Sequence, residues 1–510
     1  MNAEHIKSDL ERPRPQRFTP GDAVFFVTAF VFIYSQLFQF PLTPIYFEGD
    51  NLFSVSNALR MLDGEVIYRD FFHLTPPGAE LVYEMLFTAF GVKIWVLNLV
   101  ILFLGMVQVW LLWFFSRKTL TGMLVYLPTA LTLVIGYRSF GIDGSYRLFS
   151  VSFVLLAVVV LFNRRIRRNL IIAGVFCGLA SFFVQTRGLV GVAGISFFLL
   201  WENYRQGFSL KELVKSGLFL TLPFAAVVLL THSYFAWQAG FDNYYFAMVE
   251  FLQKHYKNDP LGGIGSYLSD LSIFQSFLDQ YSATGAISRY FRVTAPLLFY
   301  YFLIPFVYIA LLVYRRLRTS AVEFTDIDAK LMLLCCVGLT LAAGVSGPTA
   351  LRLNHIAIPG AVILCWLLSR MSHGRQIGTA LLSVLCVIGF AYVVQRQVVA
   401  KNYLDMPAGR AAFLASETFN RYKWIGENTK EGDVLFEAQH PSFYFPFHLK
   451  NPTPLSVMRD SEYTPRFQVA SVVAALEKSR PNTIRAISIE SAARCGAVTE
   501  PMNALSLYRR

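Results

Sequence analysis

Along this chain hydrophobic and polar positions fall in blocks rather than alternating. Nine charge-free apolar runs reach the roughly 17–25 residues a helix needs to cross a bilayer. They are Ala23–Phe47, Ile94–Ser116, Thr119–Tyr137, Asn169–Thr186, Ser216–Phe241, Val293–Tyr314, Leu331–Leu351, Leu353–Ser369 and Gln376–Gln395. Two shorter runs, Leu148–Asn163 and Gly188–Trp201, complete the set. Arg187 alone separates the last of these from its predecessor, so a re-entrant pair is the alternative there. The pattern predicts a polytopic α-helical membrane protein of about 11 transmembrane helices, with ten and twelve the neighbouring counts.

The polar segments between the runs give an orientation. Lys7, Arg12, Arg14 and Arg17 precede the first run. Basic clusters then recur at Arg117-Lys118, Arg164–Arg168, Arg205/Lys211/Lys215, Arg315–Arg318 and Arg370/Arg375. With eleven crossings every dense cluster falls on one side, as the positive-inside bias requires. The N-terminus is therefore expected in the cytoplasm, in a bacterial inner membrane. The first run lacks a small-residue cleavage site and reads as an uncleaved anchor.

Composition agrees. Of 510 residues, 55% are apolar and 15% charged, against about 25% charged in soluble domains. So little charge cannot cover a water-facing surface of this size, which excludes a soluble enzyme or a disordered chain. The net charge of +12 fits the orientation bias better than a nucleic-acid partner, because no basic run is interleaved with stacking aromatics outside the apolar spans. No nucleic-acid partner is expected. No Gly-rich phosphate loop precedes a helix, so direct nucleotide use is unsupported.

The opposite side receives two long loops, 48–93 and 242–292, and everything after residue 395. The organisation expected is a disordered cytoplasmic tail over 1–21, a transmembrane domain over 22–395, and a small external α/β domain over 396–510. In that last part Val434–Ala438 and Thr483–Ile489 read as strands and Phe467–Lys478 as an amphipathic helix. The first loop is the most informative segment. Glu48 and Asp50 stand just outside the first run, and an amphipathic helix Leu52–Leu62 follows, stopped by Asp63-Gly64. Pro76-Pro77 open a second helical run that ends at Phe90-Gly91. Two interfacial helices joined by a structured turn account for this pattern.

An acidic pair after the first span, then a helix, then Gly-x-x-x-Tyr-Arg-Asp, His-x-x-Pro-Pro-Gly and a terminal Phe-Gly resembles the GT-C superfamily of membrane glycosyltransferases. The nearest branches are the protein O-mannosyltransferase-like and lipid A aminoarabinose transferase-like groups. The run Gly178–Gly188, carrying Arg187, is similar to a further family segment. The resemblance implies an inverting transferase that moves a sugar from a polyprenyl-phosphate carrier to a hydroxyl on a glycan, lipid or protein, on the non-cytoplasmic face. A transporter or flippase, and a polysaccharide polymerase or ligase, are the competing classes. Transporters favour repeated halves and midplane polar groups, and neither pattern is found in the sequence.

Such a transfer needs a carboxylate base for the acceptor hydroxyl and cations for the departing phosphate. Asp50 matches the family's acidic position and is the candidate base. Glu48 is either the true base or a residue that orients a substrate hydroxyl. Asp70 and His73 either bind sugar, phosphate or a divalent cation, or form a pair that fixes the loop. Candidates for the phosphate are Arg138, Arg147, Arg187, Lys254, His255, Arg289, Arg292, Arg352 and His355. Arg187 leads them, because it interrupts an apolar stretch where a charge is costly. No metal ligand set is recognisable, and a divalent cation is the one cofactor left open.

Overall fold

The computed structural model describes residues 18–137, 143–256, 296, 298–318, 325–345, 350–354, 356–438, 440–459 and 463–479. Each of the eleven apolar runs contains a helix. These are α1 (Pro20–Leu37), α4 (Ile94–Thr119), α5 (Leu127–Leu131, extended by a π-helical turn to Tyr137), α6 (Tyr146–Leu161), α7 (Arg167–Phe183), α8 (Gln185–Arg205) and α9 (Leu210–Ala239). After a helical stretch made of α10 (Phe241–Tyr245), a π-turn and α11 (Phe251–Lys254), the series resumes. It continues with α12 (Ile304–Arg318), α13 (Asp326–Ala343), short α14 (Ala350–Asn354), α15 (Ile358–Ser369) and α16 (Gly374–Val399). Five of the described helical segments are long and apolar enough to cross a membrane by length and composition. On α9, Leu222, Leu229, Leu230 and Trp237 stay exposed, the pattern of a helix whose outer face meets lipid rather than water.

The first run is shorter than its apolar content suggests. Helix α1 stops at Leu37 rather than running on to Phe47, and the next residues fold back as a hairpin pairing Phe38 with Pro44 and Gln39 with Thr43. Pro41 and Pro44 lack the amide hydrogen a helix interior needs, so the chain turns although it is still apolar. Farther on, the break between α7 and α8 falls at Val184, in extended conformation, and Arg187 enters the first turn of α8.

The first loop forms α2 (Asn51–Leu62) and α3 (Gly78–Phe90). Gly64 and Gly91 take positive φ just past their ends, the glycine stop signals read from the sequence. Gly78 sits against α7: a Cβ there would lie 2.6 Å from the Phe182 carbonyl oxygen and 3.0 Å from the Phe183 ring. One residue type therefore seats α3 on the membrane helices.

The tail contributes β1 (Asn402–Leu404) paired antiparallel with β2 (Ala411–Phe413), then α17 (Ser416–Asn428), short α18 (Tyr444–Phe447) and α19 (Arg466–Ser479). Helix α19 corresponds to the amphipathic run at Phe467–Lys478. Val434–Ala438 makes no strand, only a single bridge from Val434 to Lys450. A short, mostly apolar stretch with two buried residues, Leu435 and Phe436, looks the same in sequence as a strand. Thr483–Ile489 lies outside the described residues. The tail shares its core with the first loop: Tyr46 packs on Phe413 and Tyr422 at ring distances of 5.6 and 5.0 Å. Backbone bonds join Tyr46 to Ala412, Phe72 to Pro454 and Ile94 to Ala408.

The segments expected on one side of the membrane meet at one end of the helices. The first loop, Gly144, Gln185, Tyr256, Arg352 and the tail all converge there, Tyr83 donating to the Gly144 carbonyl at 2.7 Å and Gln185 to that of Leu74 at 3.1 Å. The basic loops contribute ion pairs of their own: Asp22 with Arg117, Arg165 with Glu202 at 3.5 Å, and Arg315 with Asp328 at 2.5 Å.

Candidate active site

At the end where the loops converge, a cleft of about 210 Å³ opens between the start of α2, the turn at Phe72–Thr75, the start of α6, Tyr256, α14 and the tail segment around Ser456–Tyr463. Asp50, Arg147, His73 and Arg352 all line it. Its walls are otherwise largely aromatic, with Phe53, Phe72, Tyr146, Tyr256 and Tyr463.

Asp50 occupies the N-cap position of α2, yet its carboxylate makes no capping bond to the helix. It turns to Arg147, whose Nη1 lies 2.5 Å from Asp50 Oδ2. Arg147 sits in the first turn of α6, where the helix dipole opposes a cation. The aspartate offsets that cost, and Nη2 also donates to the Tyr146 hydroxyl at 3.0 Å. The carboxylate is 40% exposed while the guanidinium side is 11% exposed, so the pair presents its acidic member to the cleft.

Two further guanidinium groups stand nearby. Arg352 Nη2 donates to Tyr256 Oη at 3.5 Å. Arg187 does not line the cleft but lies behind it, 7% exposed and within electrostatic range of Arg147, Tyr146 and Arg352. Its Nη1 reaches the Leu341 carbonyl at 3.5 Å, and its buried Nε has no hydrogen-bond partner among the described residues. Cations at this depth are expensive unless an anion is to arrive.

His73 faces the cleft with one edge and is otherwise enclosed. Asn57 Nδ2 lies 3.1 Å from its Nδ1, while Thr75 Oγ1 and Glu80 Oε1 lie 2.6 and 3.0 Å from its Nε2. Both ring nitrogens thus have protein partners. Glu80 is fully buried, and beyond the histidine its oxygens have no hydrogen-bonding neighbour among the described residues.

The other sequence candidates fall elsewhere. Glu48 does not line the cleft; its Oε1 accepts from the Tyr422 hydroxyl at 2.8 Å and pairs with Arg421. Asp70 is clamped by Arg69 at 2.8–2.9 Å and by the Val66 amide at 2.7 Å, which fixes the turn and, chiefly through the arginine, holds its carboxyl below the ordinary range. Lys254 extends outward to Glu250 at 2.8 Å. His255 packs beside Phe246 and Phe251, and its neighbour Tyr256 enters the cleft instead. Arg138, Arg289, Arg292 and His355 lie outside the described residues. No group of three metal-ligating His, Cys, Asp or Glu side chains occurs among the described residues.

The cleft also contains residues that charge and position along the sequence do not single out. Tyr146, Tyr256 and Tyr463 are ordinary interfacial aromatics by pattern. Arg459, whose guanidinium stacks 4.7 Å from the Tyr463 ring, lies in the tail, more than 400 residues from Asp50.

Residues 75–235, about a third of the chain, match the dolichyl-phosphate-mannose-protein mannosyltransferase family. That stretch runs from Thr75 into α9 and includes Arg147 and Arg187. Comparison with curated proteins gave no match. Among solved structures, ArnT from Cupriavidus metallidurans in the apo state is similar with a TM-score of 0.52 at 13% identity, over 92% of this chain and 93% of that one. The same protein bound to undecaprenyl phosphate gives a TM-score of 0.51 at 13% identity, over 94% and 91%. The middle third of the chain thus matches the dolichyl-phosphate-mannose-protein mannosyltransferase family, and the fold of nearly the whole chain is similar to that of ArnT.

Proposed function

We propose that the protein transfers a sugar from a polyprenyl-phosphate carrier to a hydroxyl-bearing acceptor, with inversion, at the non-cytoplasmic face of the inner membrane. The observation that carries this reading is the Asp50–Arg147 pair at the mouth of an aromatic cleft, backed by Arg352 and Arg187. Undecaprenyl phosphate bound to the ArnT relative supports the carrier class.

In the resting site Arg147 neutralises Asp50. An arriving phosphate competes for the same guanidinium, since arginine binds phosphate through paired donors. Arg147 and Arg352 then hold the phosphate from the cleft, and Arg187 adds positive potential from behind. Freed from its partner, Asp50 accepts the acceptor's hydroxyl proton as that oxygen bonds to the anomeric carbon. The bond from that carbon to the phosphate oxygen breaks, and the polyprenyl phosphate leaves with its charge balanced by the arginines. The aromatic walls give the sugar apolar faces to lie against. His73, held by Asn57, Thr75 and Glu80, shapes the floor. Asp70 and Glu48 fasten the loops, and the roles weighed for Lys254 and His255 pass to Tyr256.

The test is turnover by the full chain in lipid nanodiscs, offered undecaprenyl-phosphate-linked hexoses and pentoses with hydroxyl acceptors. Release of undecaprenyl phosphate coupled to a new glycosidic bond is the expected result. Movement of the intact carrier across the bilayer without bond exchange would instead establish a flippase.

A further inference from the structure

The acidic segment that leads to Asp50 is gripped by the tail at every step. The Tyr46 amide donates to the Ala412 carbonyl at 2.9 Å. Two residues on, Glu48 Oε1 receives both the Tyr422 hydroxyl, at 2.8 Å, and the Arg421 guanidinium. The His440 ring meets the Phe53 ring edge-on at 4.8 Å. Phe53 lines the cleft, one turn beyond Asp50. Gly49 joins Glu48 to Asp50, and glycine imposes less direction on the chain than any other residue. Asp50 itself makes no capping bond to α2. Apart from its ion pair with Arg147, its aim therefore depends on what holds its neighbours.

We infer that Arg421 is a positioning residue, which by holding Glu48 fixes the backbone that presents Asp50 to the cleft. The inference rests on the reading of Asp50 as the base. It gives the tail a part in catalysis beyond walling the cleft, and it makes Glu48 a tether rather than a second base. Arg421 and Glu48 are each 29% exposed, so water reaches the pair and its role is geometric more than energetic. Displacing a catalytic group by about 1 Å costs on the order of a hundredfold in rate.

The test uses the purified full chain in nanodiscs with an undecaprenyl-phosphate-linked sugar that the wild type turns over. Arg421→Ala is expected to lower kcat by about ten- to a hundredfold while donor KM stays within about threefold. Arg421→Lys, which keeps a point charge, is expected to recover part of the loss and serves if the alanine variant does not fold. Exchanging the partners, Glu48→Arg with Arg421→Glu, is expected to restore kcat above either single variant, which a base at position 48 could not tolerate. Wild-type kcat in folded Arg421→Ala, or no recovery in the exchanged pair, overturns the inference. An active Asp50→Asn would instead remove the reading beneath it, whatever Arg421 does.

Discussion

Asp50 and Arg147, 97 positions apart, form an ion pair at the mouth of the cleft in which the aspartate is the more exposed partner. The pair joins the end of the first loop to the start of α6. In the resting site the guanidinium occupies one oxygen of the carboxylate. Several measurable consequences come from this arrangement and from the packing around it.

Removing the guanidinium should weaken carrier binding. Arg147→Ala is expected to reduce affinity for undecaprenyl phosphate by about tenfold or more, the scale of a lost charged hydrogen bond of about 1.5–3 kcal/mol. Arg147→Lys should recover part of it, as a point charge without the paired donors. Equilibrium binding of the lipid in nanodiscs measures both.

Crowding α3 against α7 should cost stability without touching any charged group. In Gly78→Ala the new methyl would meet the Phe182 carbonyl oxygen at 2.6 Å, and backbone cannot step aside cheaply. A loss of about 1–3 kcal/mol is expected, read as a lower Tm in detergent.

One pH dependence follows from the tail. Burial raises the Glu437 carboxyl from its ordinary 4.5 to about 8, against the opposing bonds from the Phe443 and Ser442 amides. The folded protein therefore binds this proton more tightly than the unfolded chain. Its contribution to stability is fully present below about pH 4.5 and is lost as pH rises through about 8. Wild type should thus fall in stability relative to Glu437→Gln between those values, with little further divergence above pH 9. Denaturation midpoints of the two proteins across pH 4–9 measure this difference.

The helices were legible in the sequence because a bilayer-length apolar run leaves the backbone few other ways to satisfy its polar groups. The same rule misleads at Phe38–Phe47, which is apolar but carries prolines that end α1 at Leu37. Gly64, Pro77 and Gly91 marked helix ends correctly, since those residues act through local backbone geometry. Asp50 stood out as a candidate from its place at the end of a span. Its partner was only one of nine phosphate candidates, because nothing local distinguishes Arg147 from Arg138 or Lys254. Glu48 looked equivalent to Asp50 until the fold brought Arg421 to it across 373 positions. Arg459 and Tyr463 carry no local signal either. Long-range packing assigns such residues, and a single sequence does not encode it in any short pattern.

The most direct measurement compares Asp50→Asn with wild type for both sugar transfer and undecaprenyl phosphate binding in the same nanodiscs. Asparagine keeps the size of the side chain but cannot accept the hydroxyl proton as a base. Transfer is expected to fall by at least about a hundredfold, while the lipid binds as tightly or more tightly because Arg147 no longer has a competing carboxylate. Near-normal transfer by Asp50→Asn would contradict the assignment of this aspartate as the base.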